Sequence, residues 1–439
     1  MPRIAIPTFG CKANQADTAA LRHGISAALG TVEFVSPTEP SDIVLVNTCT
    51  VTHTADADAR QVIRRLKRTS PDACIIVTGC YAQTDRDVLA SMPEVDHVVG
   101  NVHKSTIPAM VSRVLNGKEP MPDVTRTGNR EWNPTLRDAS SIRTLQKGRT
   151  RPFLKVQDGC DYVCSFCIIP QARGKSRSIP LTEVIDACRQ YEELGAKEIV
   201  LTGIHLGHWG KDLTPKRRFG SMVRELLSDT TVARFRISSL EPNEVDSDVL
   251  ALVAGDTRIC PHLHVPLQSG DDGTLGRMRR VYRTPSYRKR VNRFFELLPF
   301  GAWGIDVMVG FPGEDDAAFQ QTEAFLQSIP FTYLHVFPYS IRKNTPAATM
   351  PNQVDPQVKR ARVQKLACLS NERRRAHVQK HIGRTGMVLV EERRQAGQLR
   401  GYTESYVPVT FSGPDSWKNQ LVPVEMTDLA GSSAVGTAL

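Results

Sequence analysis

Between residues 151 and 340 the chain repeats one pattern six times, a short apolar run and then a stretch with helical spacing. The apolar runs are 153–157, 198–201, 233–238, 261–266, 302–309 and 331–337. Parallel strands joined through helices require this rhythm, and six such units predict a curved sheet, a partial (β/α)6 barrel. The clearest helix places Val184, Ile185, Cys188, Tyr191 and Leu194 on one face, with Gly195 stopping it. In such a barrel reactive groups gather beyond the C-terminal ends of the strands. The first run is followed directly by Cys160-Asp-Tyr-Val-Cys164-Ser-Phe-Cys167. Three thiolates this close can hold three corners of a cubane iron–sulfur cluster and leave the fourth iron open to S-adenosylmethionine (SAM). Zinc and plain buried thiols are the competing readings. Structural zinc takes four ligands at paired spacings, and no second CxxC follows downstream.

Every other unusual segment of this region also falls at a strand end. Thr202 and Gly203 follow the second run, Ser239 and Glu241 the third, Gln268 the fourth and Gly310 the fifth. The glycines would admit a ligand close to the backbone, and the polar residues suit an amino-acid head or a ribose. A turn needs Gly and Ser for its own geometry, so each loop alone is weak; together they outline one rim. His262 and His264, two apart on one strand, share a face. They either look into the barrel near a ligand or are satisfied core histidines.

Residues 1–115 also alternate strands and helices: runs at 3–8, 32–35, 43–47, 74–78 and 97–99, with helical patterns such as 55–69 and 85–92. An N-terminal α/β domain with a parallel sheet follows. Cys11, Cys49 and Cys80 each leave the C-terminal end of such a strand, so they can converge on one edge as a second triplet. The bland alternative is three unrelated small apolar residues. Cys74, Cys188, Cys260 and Cys368 read as structural. Residues 116–150 are polar and aperiodic, a linker. The barrel domain extends to residue 380 and includes a basic helix at 355–382. Residues 381–439 hold short alternating runs (387–390, 406–411, 420–424), which predict a small, five-stranded β-barrel.

The net charge of +10 is clumped. Residues 273–293 carry eight bases and no acid, 359–384 nine bases against Glu372, and 126–151 seven against Glu131 and Asp138. Such clusters are footprints for a polyanion, or else solvated helix faces. Residues 385–439 instead hold four bases and six acids. The N-terminus has no signal-peptide pattern and no apolar run is long enough to span a bilayer, so a cytoplasmic protein with reduced, metal-binding thiols is expected.

These residues carry a resemblance. The first triplet, with Phe166 before its last cysteine, is similar to the cluster loop of radical-SAM enzymes. Thr8-Phe-Gly-Cys11-Lys-Ala-Asn-Gln15, Asn47-Thr-Cys49-Thr-Val-Thr52 and Thr78-Gly-Cys80-Tyr-Ala-Gln83 resemble the three cysteine motifs of the radical-SAM methylthiotransferases, and the final module resembles their TRAM domain, an RNA-binding β-barrel. Gly-Cys-Lys-x-Asn-Gln and Asn-Thr-Cys-Thr-Val-Thr look most like the branch that modifies N6-threonylcarbamoyladenosine beside the tRNA anticodon. Leu201-Thr-Gly-Ile-His-Leu-Gly207, Phe337-Pro-Tyr-Ser340 and Asn344-Thr-Pro-Ala-Ala348 point the same way. Phe9 and Ala13 depart mildly from that pattern.

The resemblance implies two [4Fe–4S] clusters, one on each triplet. The first cleaves SAM to a 5′-deoxyadenosyl radical, with Phe166 packed near the SAM adenine. The second holds the sulfur to be inserted, and a second SAM methylates it. It further implies tRNA as partner, an unidentified electron donor and a monomer. The alternatives are the isopentenyladenosine branch, a branch that modifies a ribosomal-protein aspartate, and a non-catalytic iron–sulfur RNA-binding protein.

Overall fold

The structure is a computed structural model that describes residues 1–117, 149–393 and 397–439. Most of the expected linker at 116–150 and of the basic cluster at 126–151 therefore lies outside the described residues.

The N-terminal sheet has five parallel strands, β1 (Arg3–Ala5), β2 (Glu33–Val35), β3 (Ile43–Thr48), β4 (Cys74–Gly79) and β5 (His97–Gly100), in the order β2-β1-β3-β4-β5. The central β3 and β4 are covered on both faces, which is why they read as near-continuous aliphatic runs. Val44, Val46, Ile75 and Val77 pack on one side against the helix His53–Thr69. Leu45 and Ile76 pack on the other, against the helices Lys12–Leu29 and Ile107–Leu115. The helix Lys12–Leu29 is not signalled by hydrophobic period, because its buried face includes Asn14, Asp17 and Thr18.

The middle of the chain supplies β6 (Phe153–Lys155), β7 (Gln157–Asp158), β8 (Arg177–Ser178), β9 (Glu198–Thr202), β10 (Arg234–Ile237), β11 (His262–His264), β12 (Ala302–Val309) and β13 (Tyr333–Pro338). The parallel sets β10-β9-β6 and β11-β12-β13 are joined by the Ser239–His264 bridge, so six strands run as one curved sheet. The run 153–157 is not a single strand; it breaks at Val156, and β7 turns to pair antiparallel with β8. The helix Leu181–Glu193 buries Val184, Ile185, Cys188 and Tyr191, while Leu194 falls at its cap and is 41% exposed.

The helix Pro356–Gln379 leads into a closed barrel of β14 (Thr385–Arg393), β15 (Gln398–Tyr402), β16 (Pro408–Ser412), β17 (Leu421–Ala430) and β18 (Ser433–Ala438), ordered β14-β15-β16-β18-β17. Closure leaves no free strand edge around a core of Val388, Val390, Leu399, Val409, Phe411 and Val424. No described helix is long and apolar enough to cross a membrane.

Candidate active site

Three of the six triplet cysteines follow a glycine with positive φ: Gly10, Gly79 and Gly159. A Cβ on Gly10 would stand 2.6 Å from the Cys49 Sγ, and one on Gly79 would stand 2.3 Å from the Thr48 carbonyl oxygen. The backbone can swing each thiol inward only because that atom is missing. Cys11, Cys49 and Cys80 are thereby brought together at the C-terminal edge of β1, β3 and β4. Burial, the Cys80 thiol and the Cys11 thiol together push Cys49 up to about 12. Asn101 Nδ2 donates to the Cys80 Sγ at 3.6 Å, and Cys11 is the N-cap of Lys12–Leu29 with no side-chain cap. An uncapped helix start favours an anion beside it.

Behind this triplet lies a buried ionic knot between the N-terminal sheet and the barrel. Arg173 donates to Asp158 at 2.9 and 3.0 Å and to Asp17 at 2.9 Å. Lys104 reaches Asp17 and Lys155 reaches Asp158, both at 3.0 Å, and Lys155 also pairs with Asp17. These cations hold the Asp17 carboxyl well below the usual range and Asp158 at about 2. The three cations outnumber the two carboxylates, and the Cys80 and Cys11 sulfurs lie within electrostatic reach of Arg173. The surplus positive charge suits a thiolate-ligated, anionic metal centre.

Cys160, Cys164 and Cys167 form the second group. Burial, with mutual repulsion among the sulfurs, pushes Cys160 up to about 12 and Cys167 to about 11. Thiols raised like Cys160 and Cys167 ionise together only around a cation, which is what a cluster iron supplies. Arg280 Nη1 donates to the Cys164 Sγ at 3.2 Å, while its other arm pairs with Glu241 and Nε donates to the Tyr282 hydroxyl at 3.0 Å. The Cys160 Sγ lies 3.4 Å from His205 Nδ1, whose other nitrogen meets Glu244 at 2.6 Å. His208 stacks on that ring at 3.6 Å. Arg280, one of the eight bases of 273–293, is neither a polyanion contact nor part of a solvated helix face, because it is buried on a thiol and a carboxylate. Arg277 and Arg283 likewise bond backbone carbonyls.

The concave face of the six-stranded sheet encloses a cavity of about 750 Å³. Its lining follows the strand period of two: Val200 and Thr202, Arg236 and Ser238, His262 and His264, Tyr333 and His335, with Asp306 between. Cys11, Lys12 and Ile169 close one part, and Glu391, Glu392 and Tyr406 of the small barrel another. His262 Nε2 meets the Tyr333 hydroxyl at 2.9 Å and His264 Nε2 meets Asp306 at 2.8 Å, so both face the cavity and both are bonded. Of the rim residues, Thr202, Gly203 and Ser239 line this space. Glu241 is turned to Arg280. Gln268 is buried, holds the left-handed region at φ 67°, and its Oε1 has no partner among the described residues. The side-chain space at Gly203 is taken by Gln157 and that at Gly310 by Lys359. Phe166 packs edge-on to Phe311 at 6.4 Å. Cys188 and Cys260 are buried, Cys74 is half-buried and Cys368 is exposed.

Arg236 and Asp306 were not singled out by sequence. The available signal was a polar residue at every second position of strands, as in Arg234-Phe-Arg236-Ile-Ser238, where burial on both faces calls for aliphatics.

Residues 3–100 match Uncharacterized protein family UPF0004 and residues 154–326 match the Radical SAM superfamily. Among curated proteins, the chain is 37% identical over 97% of its length to the Threonylcarbamoyladenosine tRNA methylthiotransferase MtaB of Bacillus subtilis, of which it covers 94%. It is 36% identical over 94% of its length to the protein of that name from Aquifex aeolicus, covering 97% of it. It is 31% identical over 97% of its length to a tRNA-2-methylthio-N(6)-dimethylallyladenosine synthase of Symbiobacterium thermophilum, covering 92%. Among solved structures, the radical SAM methyltransferase TsrM of Kitasatospora setae superposes with a TM-score of 0.54 at 16% identity, over 79% of this chain and 77% of that one. Family membership brings SAM and a [4Fe–4S] cluster with it, and the Cys160, Cys164 and Cys167 set fits that cluster. The chain belongs to the radical-SAM methylthiotransferase family.

Proposed function

We propose that this chain converts N6-threonylcarbamoyladenosine, next to the anticodon of a tRNA, to its 2-methylthio derivative, using two SAM molecules and two [4Fe–4S] clusters. The observation that carries the reading is the pair of three-thiol groups, one of which reaches the polar cavity through Cys11. Curated relatives with the threonylcarbamoyl name, at 37% and 36% identity over nearly the whole chain, favour this substrate over the dimethylallyl one. When bound, the clusters and SAM supply a radical strong enough for an aromatic C–H bond, together with the sulfur.

The protein's own groups do the holding. Cys160, Cys164 and Cys167 would hold the SAM-cleaving cluster, with Arg280 and His205 fixing two of the sulfurs. Cys11, Cys49 and Cys80 would hold the second cluster against the positive knot around Arg173. Phe166, Thr202, Gly203, Ser239, Glu241, Gln268 and Gly310 form the rim assigned to SAM. The exposed bases of the helix Pro356–Gln379, such as Arg360 and Arg375, are placed to meet RNA phosphates; Arg362 is not, being buried on Glu314 at 2.7 Å. The protein works as a cytoplasmic monomer fed by an external electron donor.

Mass spectrometry of tRNA nucleosides, with and without the gene, tests the substrate. The 2-methylthio form of threonylcarbamoyladenosine is expected to vanish on deletion. Loss of only the dimethylallyl product, or of no nucleoside, would reject it. Anaerobic reconstitution is expected to give about eight irons per polypeptide, and about four would remove the second cluster.

A further inference from the structure

Most charged groups in the cavity are matched within the protein. Arg236 grips Glu198 at 2.7 and 3.3 Å and the Thr403 and Glu404 carbonyls. Arg151 pairs with Glu391, and Asp306 is bonded to His264. Lys12 differs. Its side chain is exposed to the cavity, and among the described residues no hydrogen bond or ion pair engages it. The charged or ionisable side chains that act on it are Arg236, Arg151, Asp306 and Cys11, and none of them bonds its ammonium. His262 lines the same space, is buried, and keeps Nδ1 without a partner among the described residues. An ammonium with no bonded partner and a histidine with an unsatisfied ring nitrogen, lining the same cavity, mark a place for a polar, anionic group.

We propose that Lys12 is the anion subsite of this cavity and selects N6-substituted adenosines whose substituent ends in a carboxylate. This rests on the substrate class assigned above. The purine carbon that receives sulfur is a member of the six-membered ring, and the amino nitrogen that carries the substituent is attached to that same ring. A residue that reads the substituent must therefore stand beside the thiols that serve the sulfur, and Lys12 is the neighbour of Cys11. A carboxylate would pair with the ammonium. An alkenyl substituent would leave that ammonium without a bonded partner, and a site so built rejects the analogue that lacks the group.

The test uses full-length, anaerobically reconstituted protein and two anticodon stem-loops, one with threonylcarbamoyladenosine and one with isopentenyladenosine. The ratio of their dissociation constants is measured for wild type, Lys12→Met and Lys12→Arg, with iron content and thermal melting verifying the fold of each. Wild type is expected to prefer the carboxylate-bearing RNA by about 10- to 100-fold. Lys12→Met should collapse that ratio toward one, and Lys12→Arg should keep most of it. A Lys12→Met protein that retains the wild-type ratio overturns the role of Lys12 while leaving the substrate assignment intact. A wild-type protein without preference overturns both.

Discussion

Arg173 shows how much one side chain can be asked to hold. It is 1% exposed and joins Asp17 of the N-terminal sheet's helix to Asp158 of the barrel, with the Cys80 and Cys11 sulfurs behind it. Replacing one member of a buried ionic group strands the rest. Arg173→Met is expected to lower the stability of the cluster-free protein by about 3–5 kcal/mol, read from denaturant midpoints. A change under about 0.5 kcal/mol would show that the knot is not a stabilising link. The two thiol groups are expected to separate by function. Cys164→Ala is expected to abolish reductive SAM cleavage, whereas Cys49→Ala should retain 5′-deoxyadenosine formation and yield no methylthio product. Product from the Cys49 variant, quantified by liquid chromatography, would refute the role of the second triplet.

At the scale of elements, the long helix Pro356–Gln379 is fastened to the small barrel by His377, which donates from Nε2 to the Ser405 carbonyl at 3.0 Å. Burial lowers His377 to about 4, with His381 beside it acting in the same direction. The neutral ring is the folded form, so its contribution is complete above the unfolded value near 6.5 and is lost as pH falls from there to about 4. Thermal melts of the cluster-free protein should therefore lose stability between those pH values, and His377→Phe should flatten that decline. An unchanged slope would assign the acid sensitivity elsewhere. The elements themselves were largely legible in sequence, since six strand–helix units, five N-terminal strands and a small β-barrel all follow from period and spacing. The exceptions have physical causes. The helix Lys12–Leu29 buries Asn14 and Asp17 against charged partners, so its inner face is not apolar. The run at 153–157 splits because β7 leaves the sheet to pair with β8. The strand-end rim could be named, and so could His262 and His264, but the rest of the cavity floor could not. Its polar residues belong to strands whose inward face looks, in a one-dimensional reading, like a break in the pattern.

The whole molecule converges on a cavity that no single part of it could form. The N-terminal sheet contributes Cys11 and Lys12, the six-stranded sheet most of the wall, and the small barrel Tyr406. Tyr406 stacks on Tyr402 at 5.1 Å, lies 4.6 Å from the His262 ring and sits under Arg236 at 5.0 Å. If this ring is where a base stacks, Tyr406→Ala should weaken stem-loop binding about tenfold and Tyr406→Phe should not, by fluorescence anisotropy. Equal affinities would leave the small barrel with phosphate contacts alone. The enclosure has a consequence for the nucleic acid as well. A base that reaches residues on the concave face of the sheet has to leave the stack of its neighbours in a folded anticodon loop, so eversion of the target is expected to precede chemistry. A 2-aminopurine placed beside the target would brighten as the stack opens, and that glow should rise with docking even when no electron is supplied.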